Sequence, residues 1–116
     1  MATRIVCVFP GQGSQTVGMG QDLWEADGAV KALYQAANEA LGYDLQGLCF
    51  AGPEEELRLT QHAQPAILVH SMAVWTLVAR RGLHPVLLAG HSLGEYSALV
   101  AAGALGFADA VRLVHQ

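Results

Sequence analysis

A serine with glycine two residues away on either side, Gly90-His91-Ser92-Leu93-Gly94, separates the apolar run Pro85-Val86-Leu87-Leu88-Ala89 from the helix-forming run Glu95 to Ala102. Strand, sharp turn and helix in that order make a nucleophile elbow. The turn holds the serine in a strained backbone conformation that lifts its hydroxyl over the end of the sheet, and Gly90 and Gly94 leave room for the reversal. The chemistry such a serine serves is acyl transfer. A hydroxyl is a poor nucleophile at neutral pH and its attack on a carbonyl creates an oxyanion, so a base and N–H donors must stand nearby. One donor is the backbone N–H of Leu93, where the dipole of the following helix adds to it. The second is assigned to Gln12, in the glycine-flanked turn Phe9-Pro10-Gly11-Gln12-Gly13-Ser14-Gln15. That turn ends the first apolar run, at the carboxyl edge where open α/β sheets place their ligands.

Each of these residues also has a plainer reading. Ser92 is a structural turn serine if the strand and helix around it are discounted. Gly11-Gln12-Gly13 is a simple strand-to-helix connection or a weak phosphate cradle, although it has neither the spacing of a dinucleotide fingerprint nor the lysine of a P-loop. The histidines supply no base. His91 adjoins Ser92, and neighbouring side chains diverge at a tight turn, so it is expected to pack beside the elbow. His70 reads as a satisfied core histidine within a buried helix. His62, His84 and His115 fall at segment edges and are expected to face solvent.

The elements that must position these groups follow from hydrophobic patterning. Ile5-Val6-Cys7-Val8-Phe9 and Val86 to Ala89 are apolar without alternation, the pattern of parallel strands covered by helices on both faces. Val30, Leu33, Tyr34, Ala37 and Leu41 recur at helical spacing, with Gly42 as the stop. Pro53 and Glu54 to Glu56 read as a first helical turn, where proline fits and carboxylates complement the dipole. A buried helix over Ala63 to Arg81 is expected to begin near Pro65, to carry Arg80 and Arg81 in its last turn and to stop at Gly82. After the elbow, Tyr96, Leu99, Val100 and Gly103 form one helical face, and Ala98, Ala101 and Ala102 permit close packing on the sheet. A final helical pattern runs from Phe107 to Gln116 without a stop signal. Two parallel strands do not make a stable sheet by themselves, so the chain reads as the front portion of a larger α/β domain.

Composition narrows the partners. The chain has 116 residues, a net charge of -4 and a single lysine, Lys31, so no basic surface points to nucleic acid. Its two cysteines lack metal-ligand spacing and disulfide density. Cys7 lies in a strand and Cys49 in a loop-like stretch, and both read as reduced cytosolic thiols. The apolar run Ile5 to Phe9 is too short for a signal-peptide core, and Ala66 to Ala79 is interrupted by polar residues and falls short of a membrane span. The expectation is a soluble cytoplasmic protein with no membrane partner.

With Phe9-Pro10-Gly11-Gln12-Gly13-Ser14-Gln15 near the start, Gln61-His62-Ala63-Gln64-Pro65-Ala66 in the middle and Gly90-His91-Ser92-Leu93-Gly94-Glu95 beyond, the chain resembles the malonyl-CoA:acyl carrier protein transacylase family. The resemblance covers essentially the whole chain, residues 1–116, as an N-terminal part of the acyltransferase catalytic domain. It implies an α/β fold: a hydrolase-like parallel-sheet core, incomplete here, with the ferredoxin-like subdomain and remaining strands absent. It also implies ping-pong transfer of a malonyl group from coenzyme A, through an ester on Ser92, to the phosphopantetheine thiol of acyl carrier protein in fatty-acid synthesis. Gln12 and Leu93 would form the oxyanion hole and Gln64 would line the pocket, although on its own residues Gln64 before proline equally closes a loop. No metal and no cofactor are implied. The family's activating histidine and the arginine that grips the malonyl carboxylate have no counterpart here, so the remainder of the acyltransferase chain is an expected partner and the segment alone is expected to turn over poorly. The rival readings are a polyketide-synthase acyltransferase, a serine α/β-hydrolase and an inactive fragment acting as an interaction module. The initiating Met1 close to the first strand favours the stand-alone enzyme over a domain deep within a synthase. Since carrier proteins are acidic, docking would need a local basic patch; Arg80 and Arg81 are the adjacent pair, read more simply as helix-end charges.

Overall fold

Strand β1 (Val6–Phe9) runs parallel to β2 (Leu87–Gly90), with Val6 opposite Leu87 and Phe9 opposite Gly90. The computed structural model describes residues 4–83 and 85–115; Met1, His84 and Gln116, which figure in the expectations above, lie outside them. Five helices connect the strands: α1 (Gln21–Ala26), α2 (Gly28–Leu41), α3 (Leu45–Ala51), α4 (Glu54–Arg58) and α5 (Thr60–Arg80). Helices α6 (Gly94–Ala101) and α7 (Phe107–His115) follow β2. None of the helices among the described residues is long and apolar enough to cross a membrane.

Helix α2 forms because Val30, Tyr34 and Ala37 present one buried stripe, and its ends are fixed by local chemistry. The Asp27 carboxylate accepts from the Ala29 N–H at 2.8 Å as the N-cap. Gly42, at φ 79°, closes the other end by donating its N–H to the Asn38 carbonyl. Helix α3 is capped by Asp44, which accepts from the Gly47 N–H at 3.0 Å. It buries Leu45 and Cys49, so Cys49 sits on a core helix rather than in a loop. Burial pushes its thiol up to about 12, which keeps it protonated and unreactive.

The organising element is α5. It is buried nearly all round from Ala63 to Ala73, and both α2 and α7 pack against it. It begins at Thr60, earlier than expected, so Pro65 lies inside the helix rather than opening it. A proline there cannot donate to the carbonyl four residues back, that of Gln61. The ring of His115, at the end of α7, fills the gap: its Nδ1 lies 2.9 Å from the Gln61 oxygen.

Only one face of the sheet is covered. Cys7, Phe9 and Leu88 pack against the core, with the Phe9 ring edge-on to Trp75 of α5 at 6.2 Å. Val6, Val8 and Leu87 on the opposite face remain 51%, 71% and 57% exposed, so the expectation of helices on both faces is not met by these residues. A continuous apolar run reports a strand suited to two covered faces; which face finds a partner depends on the elements present. In helix α6, Ala98 and Ala101 pack against the core as expected. Its buried residues are Gly94 and Ser97, while Tyr96 and Leu99 are exposed, because the closest approach to the sheet is made by its glycine end.

One ion pair ties the N-terminal helices to the end of α5. Arg80 meets the Asp27 carboxylate through two N–H groups, at 2.7 and 3.3 Å, so Arg80 is more than a charge at a helix end. Hydrogen bonds from Arg80 and from the Ala29 N–H hold the Asp27 carboxyl below its ordinary range. A carboxyl depressed in this way contributes stability that is fully present above the unfolded-state pKa, about 3.9, and is lost as pH falls through the lower folded-state value. Replacing Asp27 with Ala is therefore expected to lower the thermal unfolding midpoint near neutral pH, and the difference from the parent should shrink in melts recorded progressively below about pH 4.

Candidate active site

The chain turns from β2 into α6 within three residues, and the cost falls on Ser92. Its φ of 56° makes it the one non-glycine residue with positive φ among those described. For an L-residue this left-handed conformation costs about 1–2 kcal/mol. The turn is held by a short ladder: the His91, Ser92 and Leu93 carbonyls accept from the N–H groups of Gly94, Glu95 and Tyr96 at 3.0, 3.0 and 2.9 Å. The Leu93 side chain is buried and anchors the turn, leaving Ser92 exposed at the tip.

Gly90 and Gly94 are required by backbone meeting backbone. A Cβ on Gly90 would collide with the carbonyl of Gly94, and one on Gly94 would collide with the carbonyl of Phe9. The end of β1 thus lies directly against the start of α6. The next residues stay close: a Cβ on Gly11 would stand 2.7 Å from the His91 oxygen, and the His91 N–H donates to the Phe9 carbonyl at 3.3 Å. The Pro10-Gly11-Gln12 turn therefore shares the rim of the sheet with Ser92.

That turn is rigid for local reasons. The Ser14 hydroxyl donates to the Gly11 carbonyl at 2.7 Å, and the Gly13 N–H donates to the Gln15 side-chain oxygen at 2.8 Å. The Gln12 side chain is committed elsewhere, its Nε2 donating to Thr60 Oγ1 at 3.0 Å. Among the described residues the backbone N–H groups of Gln12 and Leu93 donate to no protein acceptor, so both are free for a ligand. Gln64 is half-buried on α5, one turn beyond Thr60 and on the same side of the helix. The tie from Gln12 to Thr60 is the part of the site that sequence spacing did not reveal. No local signal joins residues 48 positions apart.

The structure brings no histidine into a hydrogen bond with Ser92 among the described residues. His91 is exposed beside the turn. Expected at the surface, His62 and His115 instead pack together: their rings are stacked at 6.5 Å and both lie against Tyr43, at 5.3 and 5.4 Å. His62 Nδ1 lies 2.9 Å from the Glu56 carbonyl oxygen, and so the ring donates to it. His70 is half-buried as expected, yet its Nδ1 has no partner among the described residues, so it is not the satisfied core histidine the helix pattern suggested. Burial lowers its pKa and so favours the neutral ring, an effect the Asp22 carboxylate opposes. No group of three or more His, Cys, Asp or Glu among the described residues is arranged to hold a metal ion.

An exposed serine with positive φ on a strand-to-helix turn at the rim of a parallel sheet has the geometry of a nucleophile elbow. The acyl transferase domain family matches residues 6–116, and the chain belongs to that family. It is similar to the malonyl CoA-acyl carrier protein transacylases of Bacillus subtilis strain 168, 53% identical over 114 residues, and of Escherichia coli K12, 52% identical over 115 residues. Each comparison takes in 98% of this chain, and 36% and 37% of the relative. Among solved structures, an acyl carrier protein S-malonyltransferase from Vibrio cholerae superposes with a TM-score of 0.93 at 51% identity, over 97% of this chain and 37% of that one. A malonyl-transacylase in complex with a type II polyketide synthase acyl-carrier protein superposes equally well, at 50% identity over 97% of this chain and 37% of that one. The chain thus spans somewhat over a third of the length of these relatives, and its parallel α/β arrangement is a fragment of the acyltransferase fold.

The elbow makes a stability prediction independent of activity. Ser92→Gly and Ser92→Ala both remove the hydroxyl, but only glycine relieves the backbone, so Ser92→Gly is expected to be more stable than Ser92→Ala by about 1 kcal/mol in chemical denaturation. Gly94→Ala, which drives a methyl into the Phe9 carbonyl, is expected to cost about 1–3 kcal/mol or more in the same measurement.

Proposed function

We propose that this chain carries the nucleophile and oxyanion hole of a malonyl-CoA:acyl carrier protein S-malonyltransferase. The observation that supports this most directly is the left-handed Ser92 on an elbow packed against the Gly11–Gln12 turn. Ser92 Oγ attacks the thioester carbonyl of malonyl-CoA while a base takes its proton. The carbonyl electrons move onto oxygen, where the N–H groups of Gln12 and Leu93 receive the charge. Collapse of the tetrahedral intermediate expels the coenzyme A thiolate, which takes up a proton, and leaves a malonyl ester on Ser92. The phosphopantetheine thiol of acyl carrier protein attacks that ester in the reverse sequence, restoring the hydroxyl. Two N–H donors preset on the rim suit this role because they need no reorganisation as charge develops, and each is worth roughly 10²- to 10³-fold in rate.

The general base and the cation for the malonyl carboxylate are assigned to the part of the enzyme that lies outside this segment, as the coverage of the relatives allows. Gln64 is assigned to the acyl pocket, since its helix turn is the one that the Gln12 side chain holds. Acyl carrier protein is the assigned acceptor; a relative of the same fold has been solved with such a protein bound.

The test is labelling of the full-length protein with radioactive malonyl-CoA. Label is expected on Ser92, transferable to carrier-protein thiol and absent from Ser92→Ala. Release of the label to water at the same rate with or without a thiol acceptor would instead define a hydrolase, and no labelling at all would leave an interaction module. Gln12→Pro, which removes the proposed N–H donor, is expected to slow acylation roughly 10²- to 10³-fold. Gln12→Ala, which keeps the N–H and loses only the tie to Thr60, is expected to slow it by about ten-fold, the scale of a small misplacement.

A further inference from the structure

Two imidazoles outside the elbow perform a task that helical patterning does not foresee. Pro65 lies inside α5 and has no N–H to donate to the Gln61 carbonyl four residues back. His115 Nδ1 stands 2.9 Å from the Gln61 oxygen, and since the carbonyl can only accept, the ring carries hydrogen at Nδ1. His62 donates from its own Nδ1 to the Glu56 carbonyl, which already accepts from the Leu59 N–H at 3.2 Å, and lies 3.7 Å from the Glu56 carboxylate. Tyr43 packs against both rings. The outcome is a three-ring cluster packed at the α4–α5 junction and tied to the Gln61 carbonyl through the last residue of α7.

The same helical turn also holds the Gln12 side chain. Thr60 accepts from Gln12, and Gln64 follows one turn later. The first turn of α5 is therefore held from two directions, by the Gln12 loop and by the imidazole at the end of α7. We propose that His115 is a positioning residue for acyl transfer: its Nδ1–H bond to the Gln61 carbonyl fixes the α5 turn on which Gln12 and Gln64 depend. The assignment rests on the acyltransferase reading for its catalytic consequence, and on geometry alone for the clamp.

Leucine at 115 fills space without donating, whereas an asparagine amide can place an N–H near the position of Nδ1. In the full-length protein, His115→Leu is expected to speed amide exchange at residues 61–64 and to slow single-turnover acylation of Ser92 by malonyl-CoA between about ten- and a hundred-fold, the scale of a small misplacement. His115→Asn is expected to restore both to within about two-fold of the parent, and long-range ¹H–¹⁵N spectra of the parent should show the Nδ1–H form of His115. Parental exchange and acylation rates in His115→Leu would overturn the proposal. So would equal loss in His115→Leu and His115→Asn, which would make the ring a packing element only. If the parent never acylates at Ser92, the functional reading fails, and the exchange and spectral measurements still decide the clamp.

Discussion

The closest constraint in this molecule is the passage of one backbone against another. The carbonyl of Phe9, at the end of β1, occupies the space that a side chain on Gly94 would need, and Gly94 in turn fills the space above Gly90. These contacts lock the first strand, the second strand and the helix after it into one unit, which fixes where Ser92 projects. They also bring the Gly11–Gln12 turn to the same rim, with no side-chain hydrogen bond across the gap among the described residues. The site is thus built from main-chain geometry first. Its side chains, Gln12 on Thr60 and Ser14 on Gly11, stiffen an arrangement the backbone has already imposed.

Because the constraint is steric and local, it was legible. Glycine is the residue that tolerates such approaches, a lone serine between two such glycines stands out, and the apolar run before it has no alternation that would suit another element. The same logic made α2 legible, since Val30, Tyr34 and Ala37 keep helical spacing and Asp27 and Gly42 mark the ends. What escaped was set by tertiary contact. Helices α1 and α3 are six and seven residues long, too short for periodicity to register. Pro65 was read as a helix opener because proline suits a first turn, and only packing by α7 shows how a helix can continue through it. The polar partners of Gln12 and His115 come from distant segments, beyond the reach of any spacing rule.

Charge and burial divide the remaining groups by temperament. Cys49 and Tyr43 are both pushed up to about 12 by burial, which keeps them neutral within the core. His70 is held toward its neutral form for the same reason. The titratable interior is therefore quiet around neutral pH. The Ser92 hydroxyl stands instead at the surface, where the reactivity of a hydroxyl depends on what is arranged around it rather than on its own acidity.

The uncovered strip of Val6, Val8 and Leu87 has a practical meaning for anyone handling the segment. Flat parallel ribbons with an oily side and unpaired margins are templates for lateral stacking of identical copies. Stacking of that kind rises with protein concentration, so dilution favours a monodisperse preparation.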